Sequence, residues 1–285
     1  MAERSSARRS KPAKIGGTPR KTYGDGPALP LFKCCVCCVY LRLIHEGGSV
    51  RNATVSGPGS SGRVRIGLDD GVRGMRIAYS SRLGYATRID PEVEAAVTAA
   101  VQVFTALGAH IDETDPEIDG DPIATWNTLW WSSFATLLQS YGERVRDEAE
   151  PALAAAAAQG LKTSVADYIR AQLKRAELHL ACARFFERFD LLLTPTMPLP
   201  AFDVGHVVPP PGESGEAWTD WSPFSYPFNL TQQPAASIPC GLTREGLPMG
   251  LQIVGAIGAD ALVLRASRAF EEARPFGALS EPRTR

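Results

Sequence analysis

Residues Gly74–Asp115 read GMRIAYSSRLGYATRIDPEVEAAVTAAVQVFTALGAHIDETD. Met75, Ile77 and Tyr79 alternate with Arg76 and Ala78, the period of a β-strand with one buried face. Asp90 then stands as a helix cap. Pro91 suits the first helical position, and Glu92 and Glu94 suit the positive end of the dipole. Val93, Val97, Ala100, Phe104 and Leu107 recur at three- and four-residue steps, so the helix has one apolar face. Gly108 fits a left-handed stop, and Ala109–Ile111 reads as a second short strand. Strand, helix and strand in this order predict a βαβ unit with a right-handed crossover, and hence an α/β fold.

Working towards the carboxy terminus, Asp121-Pro122 is another helix start. Trp126, Trp130, Phe134, Leu137 and Tyr141 share one helical stripe, read as core because large aromatics dominate burial. Pro151 opens an Ala-rich helix ending near Gly160. Ser164 and Asp167 form a capping-box-like pair. Tyr168, Ile169, Leu173, Ala176, Leu180, Ala183 and Phe186 mark the long amphipathic helix that follows, with His179 read as a core or boundary residue. Asp190-Leu191-Leu192-Leu193-Thr194-Pro195 is a continuous apolar run, the pattern of a strand buried on both faces. Pro198 to Pro223 is a long Pro/Gly-rich loop of the kind that covers sites. Ala236–Cys240 and Gly250–Val254 read as strands joined by a turn around Gly246. Asp260 opens a last helix with Leu262, Leu264, Ala266 and Phe270 on its apolar face.

Working towards the amino terminus, the composition changes. Eight Lys or Arg face only Glu3 and Asp25 between Met1 and Lys33, and four of the six lysines sit there. Four of the six cysteines fall in Cys34-Cys35-Val36-Cys37-Cys38. That spacing is too tight for one tetrahedral zinc ion, and no His-x₃₋₅-His follows. The Ser/Arg-rich start has transit-segment composition but no amphipathic stripe. Residues 1–66 are therefore read as a disordered or non-native segment, 67–276 as the folded domain and 277–285 as a tail. Elsewhere Cys182 and Cys240 are single and read as buried reduced thiols. A net charge of −1 gives no pull towards nucleic acid or anionic membrane, and no apolar run reaches membrane-spanning length. These features suggest a soluble, cytoplasmic protein.

Three blocks carry a resemblance: Gly74–Asp115 above, FDLLLTPTMPLPAF (Phe189–Phe202), and SPFSYPFNLTQQPAASIPCGLTREGLPMGLQIVG (Ser222–Gly255) followed by DALVLRASRAFE. In this order they resemble the second half of amidase-signature enzymes, the family of the glutamyl-tRNA amidotransferase-like amidases. The resemblance implies part of an α/β/α sandwich with a mixed sheet, and cleavage of carboxamide C–N bonds in a small-molecule amide without metal or organic cofactor. The family's chemistry is a Ser–Ser–Lys relay, in which a positioned Lys activates a weakly nucleophilic Ser hydroxyl. In the family those groups lie upstream of the region matching Leu68 onward. This chain is therefore expected to carry no catalytic residue of its own and to be inactive alone.

Gly57-Pro58-Gly59-Ser60-Ser61-Gly62 mimics the family's paired serines, but Arg63-Val64-Arg65 follow where further Gly and Ser are needed. His45, His110, His179 and His206 show no metal spacing. Asn229, Thr231, Gln232 and Gln233 are the substrate-pocket candidates, being amides and a hydroxyl on a turn between strands. Their alternative role is to satisfy backbone groups at the strand entry. Two other classes of function stay open. One is a non-catalytic α/β module that docks on a partner chain or a second copy. The other is membrane anchoring through acylation of Cys34–Cys38.

Overall fold

A computed structural model describes residues 67–140, 149–204, 206, 208–209 and 221–276. The expectations for residues 1–66 and 277–285, including the Cys34–Cys38 cluster and Ser60-Ser61, lie outside the described residues, as does Tyr141.

The βαβ unit forms as expected. Strand β1 (Arg76–Tyr79) lies parallel to β2 (His110–Glu113), with Arg76 opposite His110 and Tyr79 opposite Glu113. Helix α1 (Pro91–Ala106) joins them. The Asp90 carboxylate caps it by accepting from the amides of Glu92 at 2.7 Å and Val93 at 3.4 Å. At the other end, Gly108 takes φ +89°, its amide donates to the Thr105 carbonyl, and the Ala109 amide donates to the Phe104 carbonyl. This is the Schellman stop, which a residue with a Cβ adopts only under strain. Val93, Val97, Ala100, Val101 and Phe104 are buried, so the stripe seen in the sequence is the face that packs.

Among the described residues, three further helices follow before the chain returns to the sheet: α2 (Ile123–Ser140), α3 (Pro151–Gly160) and α4 (Val165–Arg188). Gly160 lets α3 approach α2, since a Cβ there would stand 2.1 Å from the Trp131 carbonyl oxygen. Ser164 caps α4, its hydroxyl oxygen accepting from the Asp167 amide at 3.1 Å.

Strand β3 (Leu191–Pro195) then enters on the other side of β1, parallel to it. All five of its residues are buried. Leu191 and Leu193 join one core cluster and Leu192 the opposite one, so the strand is buried on both faces. The short helix α5 (Tyr226–Thr231) leads into β4 (Ala235–Leu242) and β5 (Pro248–Gly255), which turn about Gly246. Helix α6 (Asp260–Ala273) closes the fold.

The sheet order is β2-β1-β3-β5-β4. β5 runs antiparallel to both β3 and β4, so the sheet is mixed. One face packs on α1 and α6 through Phe104, Val263, Ala266 and Phe270, with the Phe104 and Phe270 rings stacked at 5.6 Å. The other face packs on Phe185, Phe189, Phe224 and Phe228. These three layers are the α/β/α arrangement expected.

The helices depart from expectation in three respects. Trp126, Trp130 and Phe134 are half-buried, Trp126 and Phe134 packing against the edges of core clusters, and the fully buried residues of α2 are Leu129, Ala135 and Leu138. On α4 the expected stripe faces outward except at its end: Ile169, Leu173 and Leu180 are 52, 60 and 55 % exposed, while Phe186 packs against the core. The buried face consists of Ala171, Leu178, Ala181, Cys182 and Phe185. His179 is exposed rather than core or boundary. On α4 the inward face mixes two alanines and Cys182 with Leu178 and Phe185, so it is as apolar as the outward stripe and periodicity alone does not choose between them.

Candidate functional site

The Ser222–Gln233 part of the Ser222–Gly255 block folds into a turn anchored from four sides. Two Pro residues and two Phe limit its freedom, and α5 fills what the sequence presented as a plain turn. The Tyr226 hydroxyl donates to Asp121 at 2.7 Å, and the same carboxylate oxygen caps α2 by accepting from the Ile123 amide at 2.9 Å. The Tyr85 hydroxyl donates to the Pro223 carbonyl at 2.5 Å. Gln252 on β5 donates to the Phe224 carbonyl and to the Thr194 hydroxyl, both at 2.9 Å. Arg175 on α4 donates to the Leu230 carbonyl at 2.7 Å, satisfying a group at the end of α5.

The helix ends at Gln232, which adopts φ 62° and ψ 30°. A left-handed residue here reverses the chain into β4, and a residue with a Cβ pays for that conformation. This turn separates the four candidates. Thr231 and Gln233 are buried, each 2 % exposed, and their side chains hydrogen-bond to each other. Gln232 is exposed and Asn229 is half-buried. The structure therefore joins two of the four side chains in a buried pair and sends Gln232 outward. The Cys182 thiol of α4 meets the buried pair. Burial pushes its pKa up to about 11, partly offset by hydrogen bonds to Gln233 and Thr231. A thiol so shifted stays protonated and unreactive near neutral pH.

Beside the turn runs a row of aromatic rings. Tyr85 and Tyr226 stack at 6.4 Å, Tyr226 and Trp126 at 6.4 Å, Trp126 and Trp130 at 4.5 Å, and Trp130 and Phe134 at 4.5 Å. Burial, and secondarily the nearby Asp121 carboxylate, raise the Tyr85 pKa, so its hydroxyl stays a donor. The stripe of Trp126, Trp130 and Phe134 is visible in the sequence, whereas Tyr85, Tyr226, Asp121, Arg175 and Gln252 are not marked there as site residues. Their side-chain partners lie far away along the chain: Tyr226 and Asp121 are 105 residues apart. No local pattern carries such a pairing.

A second polar group lies across the sheet. Thr196 and Ser237 hydroxyls meet at 2.7 Å, and a Cβ on Gly250 would stand 2.8 and 2.9 Å from their oxygens. Glycine is what leaves room for the pair.

The described lysines are not placed as bases. Lys162 is exposed, and the Lys174 ammonium lies 2.9 Å from Glu177 and 3.4 Å from Asp119. Hydrogen bonding to Glu177 first, then its charge, and then Asp119 raise the Lys174 pKa, the wrong direction for a general base. His110, His179 and His206 are exposed, and among the described residues no His/Cys/Asp/Glu group is placed to hold a metal ion. No described helix is long and apolar enough to cross a membrane.

This architecture is that of amidase-signature enzymes. The chain belongs to the amidase family, whose model matches residues 53–264. It is 32 % identical over 209 residues to an acylamidase of Rhodococcus erythropolis, covering 72 % of this chain and 43 % of that protein. It is 31 % identical over 239 residues to a glutamyl-tRNA(Gln) amidotransferase subunit of Myxococcus xanthus, covering 75 % and 48 %. A crystal structure of a bacterial aryl acylamidase of the amidase-signature family superposes with a TM-score of 0.65 at 29 % identity, covering 74 % of this chain and 46 % of that one. The chain thus spans about half the length of the curated relatives it matches, 43 and 48 % for the two named.

Proposed function

We propose that this chain is the substrate-side part of an amidase, acting on a small carboxamide that carries an apolar or aromatic group. The aromatic row from Tyr85 to Phe134 supports this reading. It is a half-buried apolar wall beside a turn rich in amides, the composition of a small-molecule site. Asn229 and Gln232 are the ligand-facing candidates, while Thr231 and Gln233 hold the turn from beneath. The two acylamidase relatives favour the same substrate class.

In this reading the nucleophile, its base and the oxyanion donors come from the part of the amidase domain that the match to relatives leaves uncovered, with no metal or organic cofactor needed. The setting is cytoplasmic. The exposed lysines and the protonated thiols agree with a division of labour in which these residues bind and another segment reacts.

The test measures arylamine release from an aryl amide by the chain alone, and by the chain co-expressed with the first half of the Rhodococcus acylamidase. We expect no hydrolysis alone and measurable turnover in the pair. Hydrolysis by the chain alone that Ser60→Ala or Ser61→Ala abolishes would overturn the proposal. It would place the nucleophile in the Gly57–Gly62 segment.

A second reading is that the chain serves without catalysis as a docking module. The Myxococcus relative is by name one subunit of an amidotransferase, and β2 and β4 each have only one neighbouring strand among the described residues. Unpaired strand edges invite another chain. Co-purification of a partner that restores no amidase activity would favour this reading.

A further inference from the structure

Helix α4 is apolar on two opposite faces. One packs inward through Ala171, Leu178, Cys182 and Phe185. The other carries Val165, Ile169, Leu173, Ala176, Leu180 and Ala183, all exposed, with Val165 at 80 % and Leu173 at 60 %. From Ile169 the steps are four, three, four and three residues, the spacing of a helix–helix seam. The seam runs about five turns, or roughly 27 Å at the helical rise. Such a straight, narrow strip fits another helix better than a loop or a sheet edge.

We infer that this seam pairs with the same helix of a second copy, antiparallel, about a two-fold axis between Leu173 and Ala176. That register sets Leu173 against Ala176 of the second copy and Ile169 against Leu180 of the second copy, large against small or branched at each layer. An isologous contact repeats every pairing twice. The same axis brings Arg170 beside Glu177 of the second copy, and Gln172 beside His179 of the second copy. Lys162, just before the helix, comes to the level of Glu187 in the last turn of the second copy. No like charges meet along the seam.

A parallel pair would instead place Arg170 near Arg170 at one level and align the two helix dipoles. Arg170 and Glu177 are exposed, and their present partners, Asp167 and Lys174, lie three residues away on the same helix. Surface pairs of this kind exchange at little cost.

The contact is one helix wide and sits at the low end of stable interfaces. It should therefore be a dissociable dimer.

Sedimentation velocity of the full chain over a hundredfold concentration range tests this. The wild type should pass reversibly from monomer to a discrete dimer. Leu173→Glu, on an exposed position and checked for an unchanged circular dichroism spectrum, should raise the dissociation constant about a hundredfold, because a charge lands in the seam centre. Arg170→Glu should raise it about tenfold and the double exchange R170E/E177R should restore it, as expected for a reciprocal pair. A wild type that stays monomeric throughout overturns the inference. So does a dimer that Leu173→Glu leaves intact, including one seen only with a complementary amidase half. Neither result depends on catalysis, so the amidase reading stands or falls separately.

Discussion

Helices α1 and α4 present the same signature in sequence, a capping residue followed by an apolar stripe at helical spacing. In the structure they do opposite things with it. On α1 the stripe of Val93, Val97, Ala100 and Phe104 is the face that covers the sheet, where Phe104 meets Phe270. On α4 the stripe of Ile169, Leu173 and Leu180 points away, and the helix packs through alanines, Cys182 and a few larger residues. Periodicity identifies a face that should be buried. It says nothing about what buries it, and the outer stripe of α4 is exposed in the structure.

Substitutions that distinguish the two helices test this directly. Phe104→Ala should cost about 3–5 kcal/mol of stability, since it opens a cavity between helix and sheet. Leu173→Ala should change the monomer by no more than about 0.5 kcal/mol, as for an ordinary surface position. Urea unfolding at a concentration below dimerisation measures both, and a comparable loss at Leu173 would mean that α4 is covered within one chain.

Gly160→Ala sits between these. Its Cβ would meet the Trp131 carbonyl, a backbone atom that cannot swing aside, so we expect a loss of about 1–3 kcal/mol with α3 separating from α2. Hydrogen exchange should then rise in α2 and α3 and stay unchanged in the sheet. Uniform exchange would show that the two regions unfold as one.

The helix starts should respond alike despite their different burial. Asp90→Ala and Ser164→Ala each remove a capping acceptor and should cost about 1 kcal/mol. Thermal melts of the two variants would reveal any inequality.

The last test concerns pH. Cys182 belongs to the helical flank and Cys240 to the sheet core, and burial pushes each thiol up to about 11 from an ordinary 9.0. Between those values the unfolded chain has lost protons that the folded chain keeps. Stability is therefore fully present below about pH 9 and declines as pH rises towards 11. Cys182→Ala should flatten part of that decline. An unchanged slope would mean that the thiol is not shielded in solution.

Much of the fold was legible along the chain because its determinants are local. The Asp90 cap, the Gly108 stop, the Ser164–Asp167 pair and the two-faced run at Leu191–Leu193 each depend on neighbours within a few residues. Helix α5 leaves no clear pattern in the sequence because Pro and polar residues mask a six-residue helix that is held by distant groups. The candidate site was legible only in part. Asn229, Thr231, Gln232 and Gln233 stand together in the sequence as one group, yet the left-handed backbone at Gln232 decides that Thr231 and Gln233 turn inward while Gln232 turns out.

By itself, then, the sequence determined the α/β class, the βαβ unit, most element boundaries and the family. Capping, turn chemistry and hydrophobic period act over one or two helical turns and leave their mark in residue order. Tertiary structure alone decided the order of the strands and the aromatic row joining Tyr85, Tyr226 and Trp126. It also decided which of two apolar faces α4 buries. Those outcomes depend on which surfaces fit together at close range, between residues far apart in the chain, and residue order does not record that fit.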